Sequence, residues 1–90
     1  MDIDLGTDLT VVEVSGLRER LLAALESDQP LRVDAAAVEM VDGAAIQLLL
    51  SFHDSAAARG IEVQWGEASP ALREAIGLLG VRLPFAHPAA

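Results

Sequence analysis

Two histidines, fourteen carboxylates and a scatter of serines are the groups in this 90-residue chain that could do chemistry. Cysteine and lysine are both absent. That excludes disulfides, thiolate nucleophiles, Cys-based zinc sites, Walker-type phosphate loops and Schiff-base catalysis. A metal ion needs three or four ligands. The positions one helical turn from His53 are Leu49, Leu50, Ala56 and Ala57, none of which can ligate, and Asp54 beside it points elsewhere. His87 stands alone near the C-terminus, so no metal site is expected. Asp34 and Asp42 could be imagined as an acid–base pair, but their settings read as a strand-end turn residue and a helix cap. No Gly-x-Ser-x-Gly elbow surrounds any serine, and the glycines lack phosphate-cradling spacing. Trp65 lies on the apolar side of an alternating run, the place of a core residue. With no nucleophile, metal or cofactor site, the chain is expected to be no enzyme and to use no cofactor.

The bulk composition narrows the partners. Fourteen acidic side chains oppose six arginines, for a formal charge of -8. Such a surface repels phosphate backbones and anionic lipid headgroups, so neither nucleic acid nor membrane is an expected partner. Hydrophobic residues make up 52% of the chain, enough to bury a core. The longest apolar stretch, Ala44 to Phe52, is broken by Gln47 and Ser51. It is too short for the ~20 residues of a membrane span. The opening Met1-Asp2-Ile3-Asp4 lacks the basic start of a secretory signal. One cytoplasmic domain over residues 1–90 is the expectation, with residues 84–90 as a loose tail.

The elements that would position these groups follow from periodicity. Ile3 and Leu5 alternate with Asp2 and Asp4 as a short strand, which Gly6 ends. Thr10-Val11-Val12-Glu13 fits a capping box. Val11, Val14, Leu17, Leu21, Leu22 and Leu25 then recur at helical spacing, with Glu13, Arg18, Glu19 and Glu26 on the wet side. Gly16 sits inside this helix without a reason legible in the sequence. Ser27-Asp28-Gln29-Pro30 stops it. Leu31 to Ala35 alternates as a second strand, and Ala36 to Met40 reads as a connector in which Val38, like Val41 after it, points inward. Asp42 then caps a middle helix running from Gly43 or Ala44 to Arg59, with Ala45, Leu48, Leu49, Phe52 and Ala56 as its core stripe. Gly60 is a natural stop. Ile61, Val63 and Trp65 alternate as a third strand. Ser69-Pro70 opens a third helix that Gly80 ends, and Val81 to Leu83 could add a short strand.

Strand and helix alternate three times. This predicts an α/β fold: a small mixed β-sheet whose parallel pairs are joined by right-handed crossovers, with about three helices packed mainly on one face.

The stretch Val33-Asp34-Ala35-Ala36-Ala37-Val38-Glu39-Met40-Val41-Asp42-Gly43-Ala44-Ala45-Ile46-Gln47-Leu48-Leu49-Leu50 resembles the STAS domain. That family is shared by sulfate transporters and the anti-sigma-factor antagonists of bacteria. Arg59-Gly60 with its following strand, Ala68-Ser69-Pro70-Ala71-Leu72-Arg73 and Leu78-Leu79-Gly80 resemble the family's second half. Ile3-Asp4-Leu5 through Leu9-Thr10 resembles its N-terminal half, shortened by about one strand.

The resemblance implies a non-catalytic domain that binds a protein through the start of the middle helix, at Asp42, Gly43, Ala44, Ala45 and Gln47. In sigma-regulating members a kinase phosphorylates the serine after the residue matching Asp42, and the added charge disrupts the partner surface. Here that position is Gly43, and neither Ala44 nor Ala45 offers a hydroxyl, so no phosphorylation is expected. Ser51 lies eight positions on, roughly 12 Å along the helix. Two classes of partner follow. One is a signalling protein: an anti-sigma factor, a histidine kinase or another chemotaxis component, the last because the missing hydroxyl with Gln47 and Trp65 resembles small STAS proteins of chemotaxis. The other is the ATPase of an ABC-type lipid transporter, to which the chain would be a cytoplasmic accessory subunit.

Overall fold

The computed structural model describes residues 1–86, with Val11, Val12 and Glu13 described by their backbone alone. The side-chain roles expected of Val11 and Glu13, and residues 87–90 of the tail expected over 84–90, with His87, lie outside the described residues. The elements in chain order are β1 (Asp2–Asp4), β2 (Asp8–Leu9), α1 (Val11–Glu26), β3 (Leu31–Ala35), β4 (Met40–Val41), α2 (Gly43–Ala58), β5 (Val63–Ala68) and α3 (Pro70–Leu79). The α/β alternation and the three helices are as the periodicity indicates.

The strands divide more finely than one mixed sheet. β1, β3 and β5 form a three-stranded sheet in that order, while β2 and β4 form a separate two-stranded one. Each of these pairings is parallel. Because β1, β3 and β5 step in one direction, right-handed crossovers place α1 and α2 on the same face, where they pack on each other. Register shows why alternation was informative. Ile3, Val33 and Trp65 stand side by side and all are buried. The neighbouring row, Asp2, Arg32 and Gln64, is exposed.

Alternation fails at one place, for a local reason. Beyond the Val33–Trp65 pair, Ala35 pairs with Ala68, so β5 contains one residue more than β3 over this span. The bulge lets Trp65 and Ala68, three apart, both turn into the core. Gly66 sits in it, and a Cβ there would meet the Val33 carbonyl oxygen at 3.2 Å.

The core is one cluster running from Ile3 and Leu5 through Leu21, Val33, Ile46 and Leu49 to Leu72 and Phe85. Helix faces depart from the sequence reading at two positions. Leu22 is 43% exposed, because it lies a third of a turn from Leu21, off the face set by Leu17, Leu21, Ala24 and Leu25. In α2 Ile46, outside the expected stripe, is fully buried along with Ala45 and Leu49, while Leu48 is half-buried at the margin of the core. Thr10 stands at the N-cap of α1 but its side chain makes no capping hydrogen bond, contrary to the capping-box expectation. Its own N–H instead donates to the Asp8 carboxylate at 3.0 Å. Gly60 follows the C-cap of α2 with φ +69, the left-handed conformation that suits glycine.

The C-terminal segment also differs. Val81 to Leu83 forms no strand, and the expected loose tail begins with an anchored stretch instead. Phe85 is buried, 4.8 Å from Trp65 between ring centroids and edge-on to it. The Ala86 N–H donates to the Gly66 carbonyl at 3.0 Å, and Ala86 bridges to Glu67. A large aromatic side chain outweighs the loop-like composition around it.

Candidate functional site

The start of α2 is held from three directions. Asp42 precedes the helix in an extended conformation, φ -122 and ψ 170, and its carboxylate accepts from the Ala45 N–H at 3.3 Å. This is the expected cap. Its own N–H donates to the Leu9 carbonyl at 3.0 Å, continuing the β2–β4 ladder by one bond. The Thr7 carbonyl, meanwhile, accepts from both Glu39 and Met40 N–H groups. The connector expected over Ala36–Met40 therefore ends in a strand, and that strand aims the helix. Two-residue strands are too short to show a period, so sequence reasoning missed β2 and β4.

Of the expected surface residues, Gly43, Ala44 and Gln47 are exposed and Asp42 is half-buried. Gly43 and Gln47 are one turn apart, with Ala44 beside them, so the three share a face. Ala45 does not join them. It is fully buried in the core, because its Cβ points to the opposite side of the helix from Gln47. The accessible part of the expected surface is Asp42, Gly43, Ala44 and Gln47, with small residues and no hydroxyl in the first turn. Ser51 is exposed one turn beyond Gln47. Met40, just before the patch, is an exposed apolar residue at 58%.

The other candidates fall into structural roles. Asp34 accepts the Ala36 N–H at 3.0 Å and closes the turn after β3. Trp65 is core, touching Phe52 at 5.9 Å and His53 at 5.8 Å between centroids. His53 is half-buried along the rim of this aromatic group. Among the described residues no three His, Cys, Asp or Glu side chains are grouped to hold a metal ion. No described helix is long and apolar enough to cross a membrane. A hollow of about 330 Å³ lies between the β1–β2 segment and α1, lined by Gly6, Thr7, Asp8, Leu9, Gly16 and Arg20. Gly16 is open there, since an added Cβ would meet nothing within 4 Å.

An Asp-capped helix opening after a strand and a short connector, with small residues and no hydroxyl in its first turn, is what the resemblance implied. The β2–β4 pair is an addition. The family model described as "Mlab, STAS domain" matches residues 1–82. The chain belongs to the STAS domain family. Comparison with curated proteins gives no match. STAS domains are generally non-catalytic and generally mediate contacts between proteins.

Proposed function

We propose that this STAS domain is a non-catalytic adaptor that presents the start of α2 to a signalling protein, in the manner of an anti-sigma-factor antagonist or a chemotaxis component, without a phosphorylation switch. One observation carries the reading. The Asp42 cap leaves Gly43, Ala44 and Gln47 exposed together on a helix end fixed by β4, and none of the first-turn residues has a hydroxyl. Small side chains let a partner backbone approach closely, and the rigid mounting lowers the ordering cost of binding.

The same observation supports a second reading, an accessory subunit bound to the ATPase of an ABC-type lipid transporter. A permanently assembled subunit needs no release switch. Co-purification of the tagged chain decides between the two: a kinase or anti-sigma factor supports the first reading and a transporter ATPase the second. In either complex Ala44→Glu must weaken the association while the domain stays folded.

A further inference from the structure

The hollow of about 330 Å³ between the β1–β2 segment and α1 combines two opposite charges, an apolar floor and an unexplained glycine. Leu5, Leu9 and Leu17 form the floor, and each belongs to the buried core. Arg20 lines the hollow from α1, and Asp8 lines it from β2. Both charges are held. The Arg20 guanidinium donates to the Asp4 carbonyl, which ties it to β1. The Asp8 carboxylate accepts the Thr10 N–H at 3.0 Å, which ties it to the start of α1. Each bond uses only part of its group, because a guanidinium has further N–H donors and a carboxylate a second oxygen. The two side chains are therefore oriented in advance, which lowers the cost of binding a ligand between them.

Gly16 adds an independent point. Glycine is a poor residue for a helix interior, yet it stands within α1. A Cβ at this position would meet nothing within 4 Å, so packing does not exclude a side chain. Gly16 lines the hollow one turn before Arg20, on the same face of the helix. A longer side chain there would stand in the hollow. Its absence keeps the space open.

We propose that this hollow binds a small zwitterion, an α-amino acid with an apolar side chain. Arg20 takes the carboxylate, Asp8 takes the ammonium, and the side chain lies on the leucine floor. The paired charges select this class. A simple anion would meet Arg20 with the Asp8 carboxylate in the same hollow, and a simple cation would meet Asp8 with Arg20 there. Each is opposed by one like charge, whereas a zwitterion complements both. The volume lies near the small end of the usual range for ligand pockets, which suits a single amino acid better than a nucleotide.

The test is a titration of the isotope-labelled full chain at neutral pH, followed through its backbone amide chemical shifts. Three probes are used, each from ~0.1 to ~50 mM: leucine, isocaproate (leucine without its ammonium) and isoamylamine (leucine without its carboxylate). Leucine should give saturable shifts at Thr7, Asp8, Gly16 and Arg20, and the other two should bind at least tenfold more weakly. Gly16→Leu should fill the hollow and abolish binding. Its melting temperature should stay level or rise, since leucine is the better helix former. Arg20→Gln and Asp8→Asn should each weaken leucine binding by about tenfold. Asparagine keeps an acceptor for the Thr10 N–H, and far-ultraviolet circular dichroism verifies that each variant stays folded. Shifts that do not saturate, equal binding of either single-charge probe, or full binding in any of the three variants overturns the proposal. The chain is titrated without a protein partner, so the outcome is independent of the adaptor reading.

Discussion

The Asp42 N–H donates to the Leu9 carbonyl at 3.0 Å, so the residue that caps α2 is itself held by β2. A segment thirty residues earlier in the chain thereby fixes the direction in which the helix start faces. The strand pair beneath it is only two residues long on each side. Leu9 within it and Val38 just before it are buried in the core. Positioning of the patch and packing of the core are therefore the same set of contacts.

Asp42→Ala removes the carboxylate that accepts the Ala45 N–H. Loss of an Asp cap costs about 1 kcal/mol. In a domain of this size that lowers the melting temperature by roughly 4–8 °C. Asp42→Asn keeps an acceptor oxygen at the cap and should lose much less. Thermal denaturation of the two variants side by side checks this, and equal losses would mean that the cap acts through charge alone.

How far these elements were legible in the sequence depended on how many residues each used to state its pattern. β3 was clear because Leu31 to Ala35 alternates over five residues and is buried in strict alternation. The Asp42 and Ser69 caps were clear because a polar acceptor just before an apolar helix has few other uses, and Ser69 does accept the Leu72 N–H at 3.1 Å. β2 and β4 were not legible, being two residues each. The burial of Ala45 was partly legible: it belonged to the core stripe, yet the family resemblance also drew it into the surface. One side chain cannot face both ways, and the helix phase decides for the core. The docking of Phe85 was hidden because its partner, Trp65, is twenty residues away.

That docking gives a second prediction. Phe85 packs edge-on against Trp65 and its neighbour Ala86 donates to the Gly66 carbonyl. Phe85→Ala should destabilise the domain by roughly 2–3 kcal/mol. This lies just below the usual range for a core phenylalanine, because the segment sits at a chain end and can detach. Trp65 is the only tryptophan, so its emission reports the change directly. A shift to longer wavelength in the folded variant is expected. An unchanged spectrum and stability would restore the loose-tail description of residues 84–86.

A third prediction concerns phosphorylation. Gly43, Ala44 and Ala45 have no hydroxyl, so a sigma-regulating kinase with ATP should leave residues 42–46 unmodified. Mass spectrometry of the incubated protein gives the answer. The informative extension is Gly43→Ser, which places a hydroxyl at the exposed first position of α2. A Cβ there meets nothing within 4 Å, so the substitution fits sterically. If the patch retains the recognition surface of switchable relatives, this variant becomes a substrate. If it remains unmodified, recognition as well as the acceptor has diverged.

The last prediction separates binding from folding at one residue. Ala44 lies exposed in the first turn of α2, beside the partial positive charge of the helix N-terminus. A carboxylate is favourable there in the free protein by roughly 0.3–1 kcal/mol. Ala44→Glu should therefore leave the melting temperature unchanged or slightly higher. Against a partner, the same carboxylate is stripped of water with no counter-charge supplied, and such burial costs a few kcal/mol. Capture of the partner should weaken at least tenfold, or about 1.4 kcal/mol, in a protein that is no less stable. Asp42→Ala acts oppositely, reducing stability through loss of the cap while leaving Gly43, Ala44 and Gln47 themselves unaltered. Titrating both variants against the co-purified partner, with melting curves in parallel, distinguishes the two effects. Full affinity in a folded Ala44→Glu protein would show that the helix start is structural and that the partner binds elsewhere on the domain.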